Sequence, residues 1–92
     1  MEVVGSAPAA WFWLRDGEHQ YVDVNCSQSA VSFSILLRLD DGEAAELHAL
    51  GTVFLDYFAA KVSYWPDRFW PRNITGPLAA QAHEAVISWQ RS

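Results

Sequence analysis

From Val31 to Leu39 every second residue is large and apolar, and from Asp40 onward this period of two gives way to one near 3.6. The first pattern, VSFSILLRLD, sets Val31, Phe33, Ile35, Leu37 and Leu39 on one side of an extended chain. Ser32, Ser34, Leu36, Arg38 and Asp40 fall on the other, as in a half-buried strand. The second pattern, TVFLDYFAAKVSYW, places Phe54, Phe58, Val62 and Trp65 at i, i+4, i+8 and i+11, one stripe of an amphipathic helix. A chain that changes period once, near its middle, builds strands first and helices afterwards, which is the α+β class.

Ahead of the switch, WFWLRDGEHQYVDV flanks Asp16-Gly17 with aromatic and β-branched residues, a hairpin signal, because both turn residues tolerate positive φ. Strands are expected at about Ala10 to Arg15 and Gln20 to Asn25. A two-residue and a four-residue loop give different registers. With Asp16 to His19 as the loop, Trp11 and Trp13 share a face with Val22 and Val24, the more apolar arrangement. CSQSA (Cys26 to Ala30) reads as the loop into the third strand.

After the switch, Asp40 stands three residues before Glu43 in a capping-box spacing, and Gly51 suits a helix C-terminus. Pro66 biases Trp65 toward extended backbone, so the second helix stops there. The last helix, GPLAAQAHEAVISWQ, has Pro77 in its first turn and a stripe of Leu78, Ala82, Val86 and Trp89, with Gln81, Glu84, Ser88 and Arg91 opposite. The expected architecture is α+β, a three-stranded antiparallel meander packed on two or three helices (β-β-β-α-α-α). The sheet lies on one side and the helices on the other, in a single domain over residues 1–92.

Composition narrows the function. Half the residues are apolar and 14% aromatic, as in a globular chain rather than a disordered one. The net charge of −5 argues against nucleic acid, whose partners carry a basic surplus. No apolar run spans a bilayer, no signal-peptide pattern opens the chain, and the single cysteine cannot pair internally, which together point to the cytoplasm. Arginine in preference to lysine, beside many alanines, has a bacterial flavour.

Chemistry finds little footing. Cys26 is the one thiol, and His19, His48 and His83 are the histidines that would serve as bases, but no spacing pairs them. Asp40, Asp41, Glu43 and Glu46 crowd a helix start without the alternating ligands of a cation loop, and no zinc spacing occurs. The only strand-to-helix turn is acidic and has a single glycine, so it is no phosphate cradle. No cofactor is implied.

Three surfaces remain. Eight acidic residues between Asp16 and Asp56 face one basic residue, Arg38, so a surface carrying Asp40, Asp41 and Glu46 would steer a basic partner. If the odd-numbered residues of the third strand face the helices, Phe12, Leu14, Tyr21, Leu36 and Arg38 form an outer sheet patch, open or covered by MEVVGSAP or a second copy. The turn YWPDRFWPRN holds two Trp-Pro pairs. Either Phe69 or Trp70 closes the core there, or Arg68 and Arg72 hold an acidic group beside an aromatic shelf. The function that fits is a non-catalytic protein-interaction module of accessory or immunity type. A small enzyme using Cys26 or a histidine, and a homodimer joined through the sheet, are the alternatives.

Overall fold

The computed structural model describes residues 1–28 and 31–91. Four strands, β1 (Glu2–Ala7), β2 (Trp11–Asp16), β3 (His19–Gln28) and β4 (Val31–Arg38), precede the helices α1 (Asp41–Leu50), α2 (Thr52–Tyr64), α3 (Pro66–Phe69) and α4 (Pro77–Arg91). A 3-10 turn at Trp70–Arg72 separates α3 from α4. The α+β class and the order of strands before helices match the sequence pattern. The sheet, however, has four strands rather than three, an antiparallel meander in the order β1-β2-β3-β4.

The additional strand is β1. Its sequence, EVVGSA, contains glycine, serine and alanine, all weak strand formers, so its local signal is poor and its pairing with β2 defines it. The register shifts between Val3 and Gly5, a bulge that interrupts what would otherwise be a regular outer edge.

The β2–β3 hairpin adopts the more apolar register: Trp11 lies opposite Val24, Trp13 opposite Val22, and pairing continues to Asp16 and His19. Gly17 turns the chain at φ 60°, a value that costs glycine nothing. Strand β3 extends beyond the expected end, so Cys26 sits in the ladder opposite Phe33 rather than at the mouth of a loop. Ser29 and Ala30 of the expected loop, and the facing of the Val31 and Ser32 side chains, lie outside the described residues.

Both faces of the sheet are covered. On one, Trp11, Val22, Val24, Cys26, Ile35 and Leu37 pack against Leu47 of α1, Phe54, Leu55, Phe58, Ala59 and Val62 of α2, and Phe69 of α3. The Trp11 indole donates from Nε1 to Asp56 Oδ1 at 2.9 Å, which satisfies its polar atom and ties β2 to α2. On the other face Leu14, Tyr21 and Leu36 pack under Ala82 and Val86 of α4, with Phe12, Ile74 and Leu78 around them. The expected division into a sheet side and a helix side is therefore corrected. An apolar sheet face and the apolar stripe of α4 each need a partner, and each buries the other.

The chain reaches the second face by crossing the outer edge of β4. There Asn73 Oδ1 accepts from the Leu36 N–H at 3.0 Å, and the Ile74 N–H donates to the Leu36 carbonyl at 2.9 Å. These bonds occupy backbone groups that an edge strand would otherwise offer to another chain. Replacing Asn73 by Ala leaves the Leu36 N–H without its acceptor. The expected loss is about 1–2 kcal/mol, a fall of roughly 5–10 °C in Tm. Asn73→Asp, which keeps the acceptor, should melt closer to the unmutated protein in the same scan.

Candidate functional site: the outer face of α2 and the Trp-Pro turn

The turn YWPDRFWPRN is helical rather than loop-like. Pro66 opens the single turn of α3 as a first-position proline, after Trp65 has left the helix at φ −123° and ψ 64°. Trp70–Arg72 continues as 3-10, and both Trp-Pro bonds are trans. This path sorts the side chains by direction. Phe69 is 8% exposed and meets the edge of Phe58 at 5.7 Å between ring centroids, so it is the side chain that closes the core. Trp70 is 55% exposed and leans edge-on against Phe33 at 6.1 Å.

The two arginines also separate. Arg72 donates from Nη1 and Nη2 to Glu43 at 3.0 and 2.6 Å, and from Nη2 to the Arg38 carbonyl at 3.0 Å. Its guanidinium pKa is raised chiefly by the Glu43 hydrogen bonds. Arg68 instead lies over the Trp65 ring, 5.3 Å from its centroid. Without a partner present, Arg72 is held by Glu43 while Arg68 lies over Trp65, so the two guanidinium groups have different neighbours.

The acidic half is partly engaged in the same way. Asp40 Oδ1 accepts from the Glu43 N–H and Glu43 Oε1 accepts from the Asp40 N–H, the reciprocal capping box that the spacing implied. Asp41 and Glu46 remain exposed. On the sheet, the patch that would be open or covered by MEVVGSAP or a second copy is covered by α4 instead: Tyr21 is 3% exposed and Phe12 is half-buried, while Arg38 stays at the surface.

Cys26 is fully buried, with its Sγ 3.9 Å from the Val24 carbonyl. Burial, aided by Asp23, pushes its thiol pKa up, which favours the neutral thiol over the nucleophilic thiolate. His19, His48 and His83 are exposed on three different elements. Among the described residues no three His, Cys, Asp or Glu side chains gather as metal ligands, and no helix is long and apolar enough to cross a membrane.

The site with the clearest surface chemistry escaped the sequence reading. Helix α2 has two apolar stripes. Phe54, Leu55, Phe58, Ala59 and Val62 face the core, and on the opposite side Val53, Tyr57, Ala60 and Tyr64 recur at i, i+4, i+7 and i+11. Val53, Tyr57 and Tyr64 are 68%, 74% and 73% exposed. Trp65, expected to finish the inner stripe, turns outward instead because the helix ends at Tyr64, and its ring meets that of Tyr64 at 4.5 Å. Tyr57, Ala60, Lys61, Tyr64 and Trp65 line a shallow groove of about 430 Å³. The outer spacing is present in the sequence, but a second stripe on a helix that already has one is easily assigned to core.

Asp23 was also missed. It lies between Phe12 and Leu36 on the face that α4 covers, and its Oδ1 is buried without a hydrogen-bond partner among the described residues. Burial raises its carboxyl pKa, while Ser34 by hydrogen bonding and His83 by charge act in the opposite direction. The signal was an acidic residue at a position whose neighbours on the same face are Phe12, Leu14, Tyr21 and Leu36.

No protein-family profile matches this chain, and no curated protein or solved structure shows significant similarity to it.

Two measurements check these assignments. Phe69→Ala should cost about 3–5 kcal/mol, as a buried aromatic does, whereas Trp70→Ala should cost less than about 1 kcal/mol, read from parallel denaturant melts. For Asp23, a folded-state pKa above 3.8 means that the native state holds its proton more tightly than the unfolded chain. The contribution of Asp23 to stability is then fully present below 3.8 and is lost as pH rises through the folded-state pKa. Asp23→Asn should accordingly raise Tm at pH 7, and the gain should shrink as the scans are repeated toward pH 4.

Proposed function

We propose that the protein is a non-catalytic protein-interaction module of the small acidic accessory or immunity type, and that it docks its partner on the outer face of α2. The observation that carries this reading is the double stripe: α2 is apolar on two opposite sides and the fold buries one. A contiguous apolar stripe left exposed beside polar residues is of the kind that marks an interaction surface. Tyr57, Tyr64 and Trp65, with Arg68 stacked on the last, are of the residue types that dominate binding energy at interfaces. The single unpaired cysteine fits a reducing compartment such as the cytoplasm.

Charge selects the occupant. Lys61 lines the groove and Arg68 borders it through Trp65. The ion pairs among the described residues are Arg15–Glu2 and Arg72–Glu43, so neither Lys61 nor Arg68 has a carboxylate within bonding distance. The partner is therefore an apolar helical segment, with leucine-sized anchors for the groove and carboxylates along its flank. A second copy of this chain fits less well, because antiparallel two-fold pairing of α2 brings the Lys61 flank against its own symmetry mate.

An amphipathic peptide with leucine anchors and flanking glutamates, titrated into ¹⁵N-labelled protein, is the direct test. Shifts should concentrate at Tyr57, Ala60, Lys61, Tyr64 and Trp65. A peptide with lysines in place of the glutamates should bind at least tenfold more weakly, and the double variant Lys61→Glu/Arg68→Glu should reverse that order. Equal responses to the two peptides, or no response at α2, would overturn the reading. Concentration-dependent self-association abolished by Tyr57→Ser would assign the face to a second copy instead.

A further inference from the structure

The exposed stripe of α2 has a spacing of its own. Val53, Tyr57, Ala60 and Tyr64 follow one another at steps of four, three and four, the alternation of the a and d positions in a heptad seam. A strict a/d stripe is narrower than the face a helix turns to a globular core, and it suits contact with one other helix. With Tyr57 and Tyr64 at a and Ala60 at d, Lys61 falls at e. Tyr57, Ala60, Lys61 and Tyr64 thus stand at i, i+3, i+4 and i+7, the four corners of a hole that receives one side chain of a facing helix. The α2 groove is lined by these same residues, with Trp65 beyond them against Tyr64. Ala60, the smallest residue of the stripe, leaves the room that the two tyrosines enclose.

Charge sets the direction of the facing helix. Lys61 lies in the last turn of α2 and Arg68 in the turn that follows. Each rests on an aromatic ring, Lys61 Nζ at 6.0 Å from the Phe69 centroid and Arg68 Cζ at 5.3 Å from that of Trp65. Neither belongs to the ion pairs among the described residues, Arg15–Glu2 and Arg72–Glu43. The other flank of the stripe carries Asp56 and Ser63, at g. Cations therefore gather on one flank and at one end. Carboxylates are favoured in the first turn of a helix, where the macrodipole is positive, and disfavoured in the last. A helix antiparallel to α2 brings its first turn beside Lys61, whereas a parallel one brings its last.

We infer that the partner docking on this face is an antiparallel heptad helix, with a leucine at a that enters the hole and a glutamate three residues earlier, at e, that meets Lys61. The inference rests on α2 being the docking surface. In antiparallel pairing the e positions face each other, so a second copy of this chain would set Lys61 against Lys61, and a helix acidic at e is the complement. The stripe is about 17 Å long at the helical rise, so two heptads cover it. A helix that short is marginal by itself in water, and the partner presents it ready-formed on a folded domain.

Two peptides of two heptads, stapled on the outer face and with leucines at a and d, make the test. One carries a single glutamate at e in its first turn, the other a single glutamate at g in its first turn. Titrated into ¹⁵N-labelled protein, the e peptide should bind roughly fivefold more tightly, the upper worth of one exposed ion pair. A nitroxide at its N-terminus should broaden the amides of Tyr64 and Trp65 and leave that of Val53 sharp. Lys61→Gln, a change at an exposed position, should remove most of the preference for the e peptide. Equal affinities, a tighter g peptide, or broadening at Val53 would overturn the antiparallel register and leave α2 as the docking face. No response at α2 to either peptide would overturn both.

Discussion

Both backbone groups of Leu36 are bonded to the segment Asn73–Ile74, at 3.0 and 2.9 Å, and that clamp sets where the chain passes from one face of the sheet to the other. Everything after the Trp-Pro turn follows from it. Once Ile74 is held at the edge of β4, α4 has only the second face to lie on, and its stripe meets Leu14, Tyr21 and Leu36 there. Arg72, bonded to both Glu43 and the Arg38 carbonyl, braces the approach from the α1 side. A three-layer arrangement thus rests on a few polar bonds at one edge, although apolar burial supplies most of its stability.

Covering the sheet twice changes where a partner can bind. A single-layered sheet would offer its outer face, but here that face is interior, and apolar surface is left exposed at α2 instead. Isolated exposed apolar residues are ordinary on protein surfaces; a contiguous stripe with three large aromatics, beside cations that have no carboxylate partner among the described residues, is not. The same turn that closes the core with Phe69 also delivers Trp65 and Arg68 to that stripe. Core closure and surface exposure are therefore adjacent in YWPDRFWPRN and divided residue by residue, according to which way each side chain leaves a short helix.

Asp23 lies on the other side of the sheet. Its neighbours across the strands are Phe12 and Leu36, and an apolar residue in its place would pack without a desolvation cost. The seam under α4 and the outer face of α2 lie on opposite sides of the sheet. The strand residues Val22 and Val24, which flank Asp23 in sequence, point into the core beneath α2, so the two surfaces share a strand but not a side chain.

What the sequence determined by itself is what local spacing controls. The β2–β3 register follows from alternation around a turn that tolerates positive φ, the start of α1 from the Asp40–Glu43 pair, and the end of α2 from the constraint Pro66 places on Trp65. Each needs only residues within a few positions of one another. The tertiary structure decided what each apolar face would meet. Periodicity shows that Leu78, Ala82 and Val86 form a stripe, but not that Tyr21 lies beneath it. It shows that α2 has aromatics on both sides, but not which side is buried. β1 exists as a strand through its partner, and Asp23 Oδ1 lies buried on the face that α4 covers. Burial is a relation between segments distant in the chain, and it is settled by the path the backbone takes between them, here the crossing at Asn73 and Ile74.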